Sequence, residues 1–449
     1  MIAQSAVLPY PFSTPRPLAV QFSSLELSSD AGILLARQAD ERLQLCQRLA
    51  HCIQDERNPS KTTHSMMQLL QQRIYQLVAG YEDANDSTPL RHDPIFKLAC
   101  GRLPLPQAEC LASQPTMSRL ENQVTAKDIA QMRSQMLETF IQSYAEPPEQ
   151  LVLDIDGWDD PTHGHQQLSF FHGYFDQHMY FPVLINEAES GYPLVLQLRA
   201  GNSHPGKGVA SLLRWVFWRL KRAWPNVKII LRADAGFALA EIFRGCERSG
   251  VGYAIGFSRN PVTGRKISSL LEQARLQFVQ TQEKARLFDD VYYAAGTWDE
   301  PRRLVMKAEW LPQDPNARFV VTNLELPPRQ LYDDFYVQRG CDSEPRMKEL
   351  KRGLRADRLS CHRFIANQFR RLLAQAAYIL MLKIREAAAG TPWAKAQVER
   401  LRSLLIKGAA RVYVSARRVL VELSAHCPVA QALAQIIRRL QSPQPLPLG

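Results

Sequence analysis

The pattern of apolar and polar residues changes twice along this chain of 449 residues. After a Pro-rich, weakly patterned start of about 25 residues, apolar residues recur at spacings of three and four up to about residue 145, as in HSMMQLLQQRIYQLVAGY, and this spacing predicts packed helices. A period of two follows in LVLDID, which predicts a strand that ends at Gly157. Helical spacing returns after about residue 336 and includes HRFIANQFRRLLAQAAYILMLKI, for which we expect a buried apolar face and a basic outer face.

The middle of the chain has the order strand, strand, strand, helix, strand. Two strand-like runs, HGYFDQHMYFPVLINEA and YPLVLQLRAG, are joined by the turn ESGY, and an amphipathic helix (GKGVASLLRWVFWRLKRAWP) then leads to the apolar strand VKIILRAD. A meander followed by a helical crossover predicts an α/β fold with a ribonuclease H-like mixed sheet. The strand-like pieces DDVYYAAG, RRLVMKAEW and ARFVVTNL predict a strand-rich insertion over residues 262–335.

Composition and charge narrow the class of protein. Hydrophobic residues make up 45% and charged residues 22% of the chain, which is a globular balance and argues against disorder. The net charge of +11 favours polyanionic partners, with nucleic acid ahead of an acidic membrane surface. The eight cysteines form no CxxC pair, so we expect reduced, mostly buried thiols. No secretory signal or membrane span is evident, which predicts a cytoplasmic protein.

Two aspartates stand where such a fold would bring them together. Asp156 lies on the first strand and Asp234 ends the fourth, and neighbouring strands would place both side chains at one edge of the sheet. Convergent carboxylates are the ligands that Mg²⁺ and Mn²⁺ prefer, and two such ions about 4 Å apart suit attack on a phosphodiester. Asp154, Asp159 and Asp160 remain second choices for the first position.

Four segments resemble the DDE transposases of bacterial insertion sequences, over about residues 20–430. They are LDIDGWDDPTHG, LRADAGF, YVQRGCDSEPRMKELK and DRLSCHRFIANQFRRLLAQAAYIL. The subgroup with a strand-rich insertion has a Tyr-Arg-Glu-Lys signature, which Tyr336, Arg339, Glu344 and Lys351 match here. Four residues (GCDS) stand between the arginine and the glutamate where the subgroup usually has three, so Glu349 is the alternative third acid. Glu344 is preferred because it keeps the subgroup's spacing to Lys351.

The resemblance implies a site and a reaction. Asp156, Asp234 and Glu344 would bind two Mg²⁺ or Mn²⁺ ions, and five residues would contact the DNA backbone: Tyr336, Arg339, Arg346, Lys348 and Lys351. The implied partners are double-stranded DNA, comprising transposon terminal inverted repeats and target DNA, and a second copy of the chain. A bacterial, nucleoid-associated protein without a membrane partner is expected. The rivals are an enzyme on the same fold that only cuts DNA and an inactive DNA-binding repressor.

Five regions follow from these predictions: a helical DNA-binding region (1–145), the first part of the catalytic core (146–261), the strand-rich insertion (262–335), the last part of the core with the third acid (336–390) and a basic helical C-terminal region (391–449). SQPTMSRLE is either a DNA-recognition helix or an ordinary capped helix. GKGVAS lacks the first glycine and the ending of a Walker phosphate loop.

Other polar and aromatic residues are given ordinary structural roles. His163 and His165 lack a third ligand nearby and are more consistent with hydrogen bonding or DNA contact than with zinc binding. Trp298 and Trp310 lie in the insertion, where relatives hold a flipped base on an aromatic ring, but packing in the core is the favoured interpretation of both. Cys341 lies beside the candidate site without a histidine base next to it, so a nucleophilic role is disfavoured.

Overall fold

The computed structural model describes residues 7–9, 19–21, 26–105, 107–312 and 315–442. Strands β1 (Val7–Pro9) and β2 (Ala19–Gln21) pair antiparallel, and β3 is Leu27–Ser28. Helices then follow up to residue 142, as the apolar spacing predicts. They are α1 (Ile33–Leu43), α2 (Leu45–His51), α3 (Met66–Ala79), α4 (Ser87–Leu90), α5 (Pro94–Ala99), α6 (Gln114–Gln123) and α7 (Ala126–Gln142).

The segment SQPTMSRLE forms most of α6. Met117 and Leu120 are buried, whereas Arg119 is exposed. The Ser113 side chain makes no capping hydrogen bond, contrary to the expectation that small polar residues cap this helix, and Pro115 occupies the first turn, where its fixed φ favours helix initiation. A role for α6 in reading DNA stays a prediction.

The central sheet begins at β4 (Gln150–Gly157). A small sheet follows, formed by β5 (Asp160–Pro161), β6 (Phe170–His172) and β7 (Gln177–Tyr180), so the run HGYFDQHMYFPVLINEA is divided among three strands rather than forming one. The core continues with β8 (Val183–Glu187), β9 (Pro193–Gln197), α8 (Val209–Ala223), β10 (Lys228–Ala233), α9 (Ala240–Arg248) and β11 (Gly252–Phe257). The turn between β8 and β9 is the predicted ESGY hairpin turn.

The five core strands lie in the order β9-β8-β4-β10-β11. β8 is antiparallel to its neighbours β4 and β9, whereas β10 is parallel to both β4 and β11. A meander of three strands and a helical crossover to the other side of the first strand is the ribonuclease H arrangement, so this prediction is confirmed. The apolar side chains of β4, β8, β9 and β10 are buried on the sheet faces.

The insertion joins this sheet directly. Its strands are β12 (Ala285–Tyr293), β13 (Arg302–Trp310) and β14 (Pro315–Thr322), and β14 pairs antiparallel with β11. The prediction of strands is confirmed, but the insertion begins with two helices that were not predicted, α10 (Pro261–Lys266) and α11 (Ser268–Thr281). Asn260 caps α10 with a capping box, and Pro261 stands in its first turn, so the local helix-start signal was present in the sequence.

After the insertion the chain is mostly helical. A continuous helical segment contains π-helical turns at Gln330–Tyr336 and Glu349–Gly353 on either side of α12 (Gln338–Lys348). It is followed by α13 (Phe364–Ala387), α14 (Val398–Leu401), a π-helical turn (Arg402–Ile406), β15 (Ala410–Val414), β16 (Val419–Leu423) and α15 (Ala430–Gln441).

Part of the region predicted as a basic helical tail is therefore a hairpin. β15 pairs with β16 and with β3, so the C-terminal hairpin and Leu27–Ser28 form one small sheet. The residues of RVYV and VLVEL are rich in valine, which packs well on a pleated surface. The Ser415–Arg418 hydrogen bonds close the turn between the strands.

The predicted basic outer face of α13 is wrong. This helix lies in the centre of the fold, where Arg371 is fully buried and pairs with Asp160, and Arg370 donates to Ser360 and to the carbonyl of Glu82. The arginines are tolerated inside because they have acidic and carbonyl partners from distant segments.

Within the described residues, no helix has the length and hydropathy needed to cross a membrane. The eight cysteines are all free thiols. Only Cys46, Cys100 and Cys246 of the eight are buried and Cys341 is exposed, so the expectation that most are buried is wrong. The division of the chain into five regions stays a prediction.

Candidate active site

Asp156 and Asp234 lie at the same edge of the central sheet. β4 and β10 are parallel neighbours, and Ile155 stands opposite Ala233, so the next residue of each strand is an aspartate. Adjacent strands lie about 4.8 Å apart, which brings the two carboxylates within reach of one ligand. The sequence prediction that these acids share one edge is confirmed by the strand register.

Each aspartate is fixed by the backbone that follows it. Gly157 N–H donates to Oδ1 of Asp156 at 2.9 Å, and Gly236 N–H donates to Oδ1 of Asp234 at 2.8 Å. Gly236 also has no room for a side chain, since an added Cβ would lie 2.9 Å from Pro205. The backbone therefore orients both carboxylates and leaves their second oxygens for other partners.

The pKa of Asp156 is changed by its burial and by two charged neighbours. Burial raises the pKa of Asp156 to about 6, with a further increase from the neighbouring negative charge of Asp234 and an opposing effect of Arg339. Arg339 Nη1 donates to Oδ2 of Asp156 at 2.8 Å. Two carboxylates and a guanidinium thus share the same small volume.

Tyr336 and Arg339 reach this edge from the helical segment that follows the insertion. The Tyr336 hydroxyl occupies the space over Gly256 of β11, where an added Cβ would lie 2.4 Å away. Burial raises the pKa of Tyr336, and Arg339 partly offsets this increase. Tyr336 therefore stays protonated and can donate a hydrogen bond beside Asp234.

A buried ion pair holds this helical segment in place. Arg232 of β10 binds Asp154 of β4 through Nε at 2.7 Å and Nη2 at 2.9 Å, and its Nη1 donates to the carbonyl of Phe335 at 3.0 Å. Asp154 is fully buried. The second-choice acid Asp154 thus positions Tyr336 from behind rather than facing the open edge.

The structure separates the two candidates for the third acid. Glu349 is buried, and its carboxylate accepts hydrogen bonds from Tyr378 Oη at 2.6 Å, Arg385 Nη1 at 2.8 Å and Val398 N–H at 3.0 Å. Both of its oxygens are therefore engaged by buried or half-buried partners. The structure therefore gives no support to Glu349 as a metal ligand.

Glu344 lies on α12, which packs against β4, but its side chain is 59% exposed and pairs with Lys348 at 2.8 Å. Lys348 lowers the pKa of Glu344, and the positive charge of Arg339 adds to this effect. Glu344 is therefore close enough to interact electrostatically with Arg339, the residue that binds Asp156. The structure brings Asp156 and Asp234 together and leaves Glu344 outside the pair.

The other predicted DNA-contacting residues differ in position. Lys351 Nζ donates to the carbonyl of Asp159 at 2.9 Å and approaches its carboxylate at 3.4 Å, which ties the π-helical turn to the loop after β4. Lys348 is exposed. Arg346 packs against the turn at Gly191, where its Nε would meet an added Cβ at 2.3 Å, so it does not face the open edge.

The remaining acids, histidines and tryptophans have structural contacts. Asp160 is buried in its pair with Arg371, so it is not available as a first ligand. His163 and His165 are exposed. Trp298 packs against Phe243, Phe257 and Tyr293 with ring centroids 5.1 to 5.4 Å apart, which confirms the core-packing interpretation for this residue.

Asp156 and Asp234 fit a hard divalent cation by their chemistry. Both present carboxylate oxygens without a thiol or imidazole, and their mutual repulsion is of the kind that a cation relieves. In the described part of the chain, no three acidic, histidine or cysteine side chains form a preassembled metal cluster. The pair supplies two ligands, and the structure does not bring the predicted third ligand to it.

Sequence reasoning missed one group of cationic residues near this edge. Arg133, Arg199 and Lys207 line a cavity beside β9. The only sequence signal was the glycine-rich, basic stretch GKGVAS, which does not match a Walker loop.

Comparison with known proteins identifies the family of this chain. A family model described as transposase DDE domain group 1 matches residues 11–445. No curated protein matches the chain. Among solved structures, the chain is similar to the piggyBac transposase in a synaptic complex with hairpin DNA, at 11% identity and a TM-score of 0.42, over 98% of this chain and 85% of that one. Since the family model spans nearly the whole chain, this protein belongs to the DDE transposase domain family, group 1.

Proposed function

We propose that this protein is a DNA transposase that cuts at the ends of a bacterial insertion sequence and joins the freed 3′-hydroxyl to target DNA. The observation that carries the proposal is the convergence of Asp156 and Asp234 at the ends of adjacent parallel strands. The match to the DDE transposase family supports the same reaction class. Mg²⁺ or Mn²⁺ is the proposed cofactor, with two ions per site.

Asp156 and Asp234 would hold the cations through the carboxylate oxygens that their backbone contacts leave open. When bound, the ions neutralise charge on the entering and leaving oxygens of the phosphodiester and lower the pKa of the attacking hydroxyl group. Arg339 lies against Asp156 and would turn its forked guanidinium to a phosphate of the bound strand. Tyr336 would donate its hydroxyl proton to a neighbouring phosphate oxygen.

Glu344 is the proposed third ligand. Its pair with Lys348 is exposed, and such surface pairs contribute little stability, so a change of side-chain rotamer costs little. Because α12 packs against β4, this helix is the element that can deliver an acid to the pair. Engagement of Glu349 in the core favours Glu344 over its alternative.

The proposed partners are the terminal inverted repeats of the element, its target DNA and a second copy of the chain. The net charge of +11 favours contact with DNA phosphates. Joining two ends as one event requires that both are held together, and a homodimer would meet this requirement. We further propose that the protein acts in the bacterial cytoplasm at the nucleoid.

The test is a cleavage and joining assay on DNA that carries the inverted repeats flanking its gene, with Mg²⁺ or Mn²⁺. Asp156→Asn, Asp234→Asn and Glu344→Gln should each reduce cleavage by at least about 100-fold while end binding survives. Asp289→Asn is the control, because it makes the same change at an exposed aspartate of β12, and it should cleave DNA at the wild-type rate.

The outcomes separate the proposal from its rivals. Cleavage without any joined product would indicate an enzyme that only cuts DNA. End binding by the wild type without cleavage would indicate a repressor and overturn the proposal. Full activity of Glu344→Gln would overturn the assignment of the third ligand.

A further inference from the structure

A cavity of about 640 Å³ opens beside β9 and the beginning of α8. Its cationic lining residues are Arg133 of α7, Arg199 in the loop after β9 and Lys207 just before α8. Gln197, Ser203 and Trp215 contribute polar and aromatic surface. The volume lies within the range of sites that bind small ligands, so the cavity can accept a phosphate group with its neighbouring sugar.

The cavity lies along the same edge of the sheet as the candidate active site. Gly157, which follows Asp156, stands opposite Val183, and Val183 stands opposite Gln197. Val183 and Gln197 both line the cavity. Because β9 is two strands from β4, the cavity begins about 10 Å from the catalytic strand. Val183 and Gln197 share the sheet face of Gly157, so the cavity and the Asp156 side chain meet at the strand ends from opposite faces of the sheet.

The charges that line the cavity select for an anion. None of its lining residues is an aspartate or a glutamate. Burial lowers the pKa of Arg133 and lowers that of Arg199 to about 10, so both guanidinium groups are partly desolvated. Arg133 Nε and Arg199 Nη2 are buried and have no hydrogen-bond partner among the described residues. A buried donor without an acceptor is unfavourable, and an anion would satisfy it.

The cationic residues are held by their surroundings. Arg133 Nη1 donates to Oε1 of Gln197 at 2.8 Å, and its guanidinium lies 5.2 Å from the centre of the Trp215 ring. Arg199 donates to the carbonyls of Phe181 and His204 and stacks over the Phe181 ring. Lys207 is exposed at the rim and has no ion pair among the described residues. Two fixed cations and one mobile cation thus converge on the cavity.

We propose that this cavity binds a backbone phosphate of the DNA strand that lies at Asp156 and Asp234. A separation of about 10 Å corresponds to about three nucleotides along one strand, which rises 3.4 Å per nucleotide. The site would fix the register of the strand and thereby the phosphate that is cut. This inference rests on the proposed function, since it assumes that the same edge holds DNA.

The test measures binding of inverted-repeat DNA in Ca²⁺, so that affinity is separated from cleavage. Lys207→Gln should weaken binding roughly fivefold to tenfold and reduce the slope of affinity against salt by about one. Arg133→Gln should have a similar effect, and Arg133→Lys should restore part of it. Lys228→Gln is the matched control, because Lys228 is exposed at the amino end of β10, on the opposite edge of the sheet.

A second measurement locates the phosphate. A neutral methylphosphonate is placed in turn at positions one to five nucleotides from the cut. At one position near the third nucleotide, it should weaken binding by the wild type but add nothing to the defect of Lys207→Gln. Additive defects at every position, or unchanged affinity of both cavity variants, would overturn the proposal.

A competition experiment distinguishes a phosphate of the DNA backbone from free inorganic phosphate as the ligand of the cavity. Inorganic phosphate that competes with DNA equally well in the wild type and in Lys207→Gln would indicate a site unrelated to the strand and overturn the assignment. The proposal of DNA cleavage is tested independently. A wild-type protein that binds DNA without cutting it would overturn the cleavage proposal, and the methylphosphonate measurement would still decide whether the cavity binds a phosphate.

Discussion

Arg339 donates a hydrogen bond of 2.8 Å to the carboxylate of Asp156, although 183 residues separate them in the chain. Helix α12, which carries Arg339, is thereby joined to β4, which carries Asp156. Both groups are largely buried, with 19% of the Arg339 side chain and 12% of the Asp156 side chain exposed. The contact places the guanidinium where DNA and cations are proposed to bind.

Arg339→Ala should destabilise the protein more in EDTA than in Mg²⁺. Without the guanidinium, Asp156 faces Asp234 with no nearby counter-charge, and we expect a loss of about 1–3 kcal/mol in the free energy of unfolding. A bound cation would replace the missing charge and recover part of this loss. Denaturant unfolding in both conditions measures the difference.

The control for this experiment is Arg329→Ala. Arg329 is 80% exposed and lies 3.7 Å from Asp333, so its removal should change stability by less than about 0.5 kcal/mol. An equal loss for Arg339→Ala with and without Mg²⁺ would show that the cation does not act at Asp156.

Substitution of Glu344 and of Glu349 should have opposite effects on stability and on cleavage. Glu349→Gln leaves Arg385 with a weaker buried partner and should lower the free energy of unfolding by about 3 kcal/mol. The fraction of protein that remains folded should still cleave DNA. Glu344→Gln changes an exposed residue and should leave the melting temperature unchanged while it removes cleavage. Thermal melts and cleavage rates of both variants measure this. A stable, inactive Glu349→Gln would reverse the assignment.

Trp298 should act through packing and not through contact with a DNA base. Trp298→Ala removes the ring that packs against Phe243, Phe257 and Tyr293, and we expect a loss of about 3 kcal/mol. Trp298→Phe keeps an aromatic ring and should cut DNA at the wild-type rate. Loss of cleavage in Trp298→Phe at unchanged stability would indicate a direct role in the reaction.

Glu309 should stabilise the insertion in a pH-dependent way. Burial by itself would raise the pKa of this carboxyl group, but Lys284 and Lys307 outweigh it and lower the pKa from 4.5 to about 2. Because the folded-state pKa lies below the unfolded value, the stabilisation is present above about pH 4.5 and decreases as the pH falls toward 2.

Urea unfolding of the wild type and Glu309→Gln between pH 7 and pH 3 tests this prediction. The difference in unfolding free energy should be constant near neutral pH and become smaller below about pH 4.5. Glu283→Gln, an exposed change nearby, should show a small difference at every pH. A Glu309→Gln difference that does not change with pH would contradict the prediction.

Local sequence patterns were sufficient for the order of the core elements β4, β8, β9, α8 and β10 and for the position of two aspartates at strand ends. A period of two in LVLDID marks a strand, and the continuous apolar run before Asp234 marks another, because side chains alternate on a strand and both faces of a central strand are buried. The position of an acid at a strand end is likewise local. For these reasons the sequence by itself places Asp156 and Asp234 at one edge of the sheet.

Partnerships between distant segments were decided by the tertiary structure. Glu344 and Glu349 lie five residues apart on similar basic sequence, and only the core contacts with Tyr378 and Arg385 distinguish Glu349 from the exposed Glu344. Helical spacing predicts a basic outer face for α13, but Arg371 pairs in the core with Asp160, which lies 211 residues away. Helical periodicity records which side chains share a face, but the neighbour that covers that face is set by the packing of the whole chain.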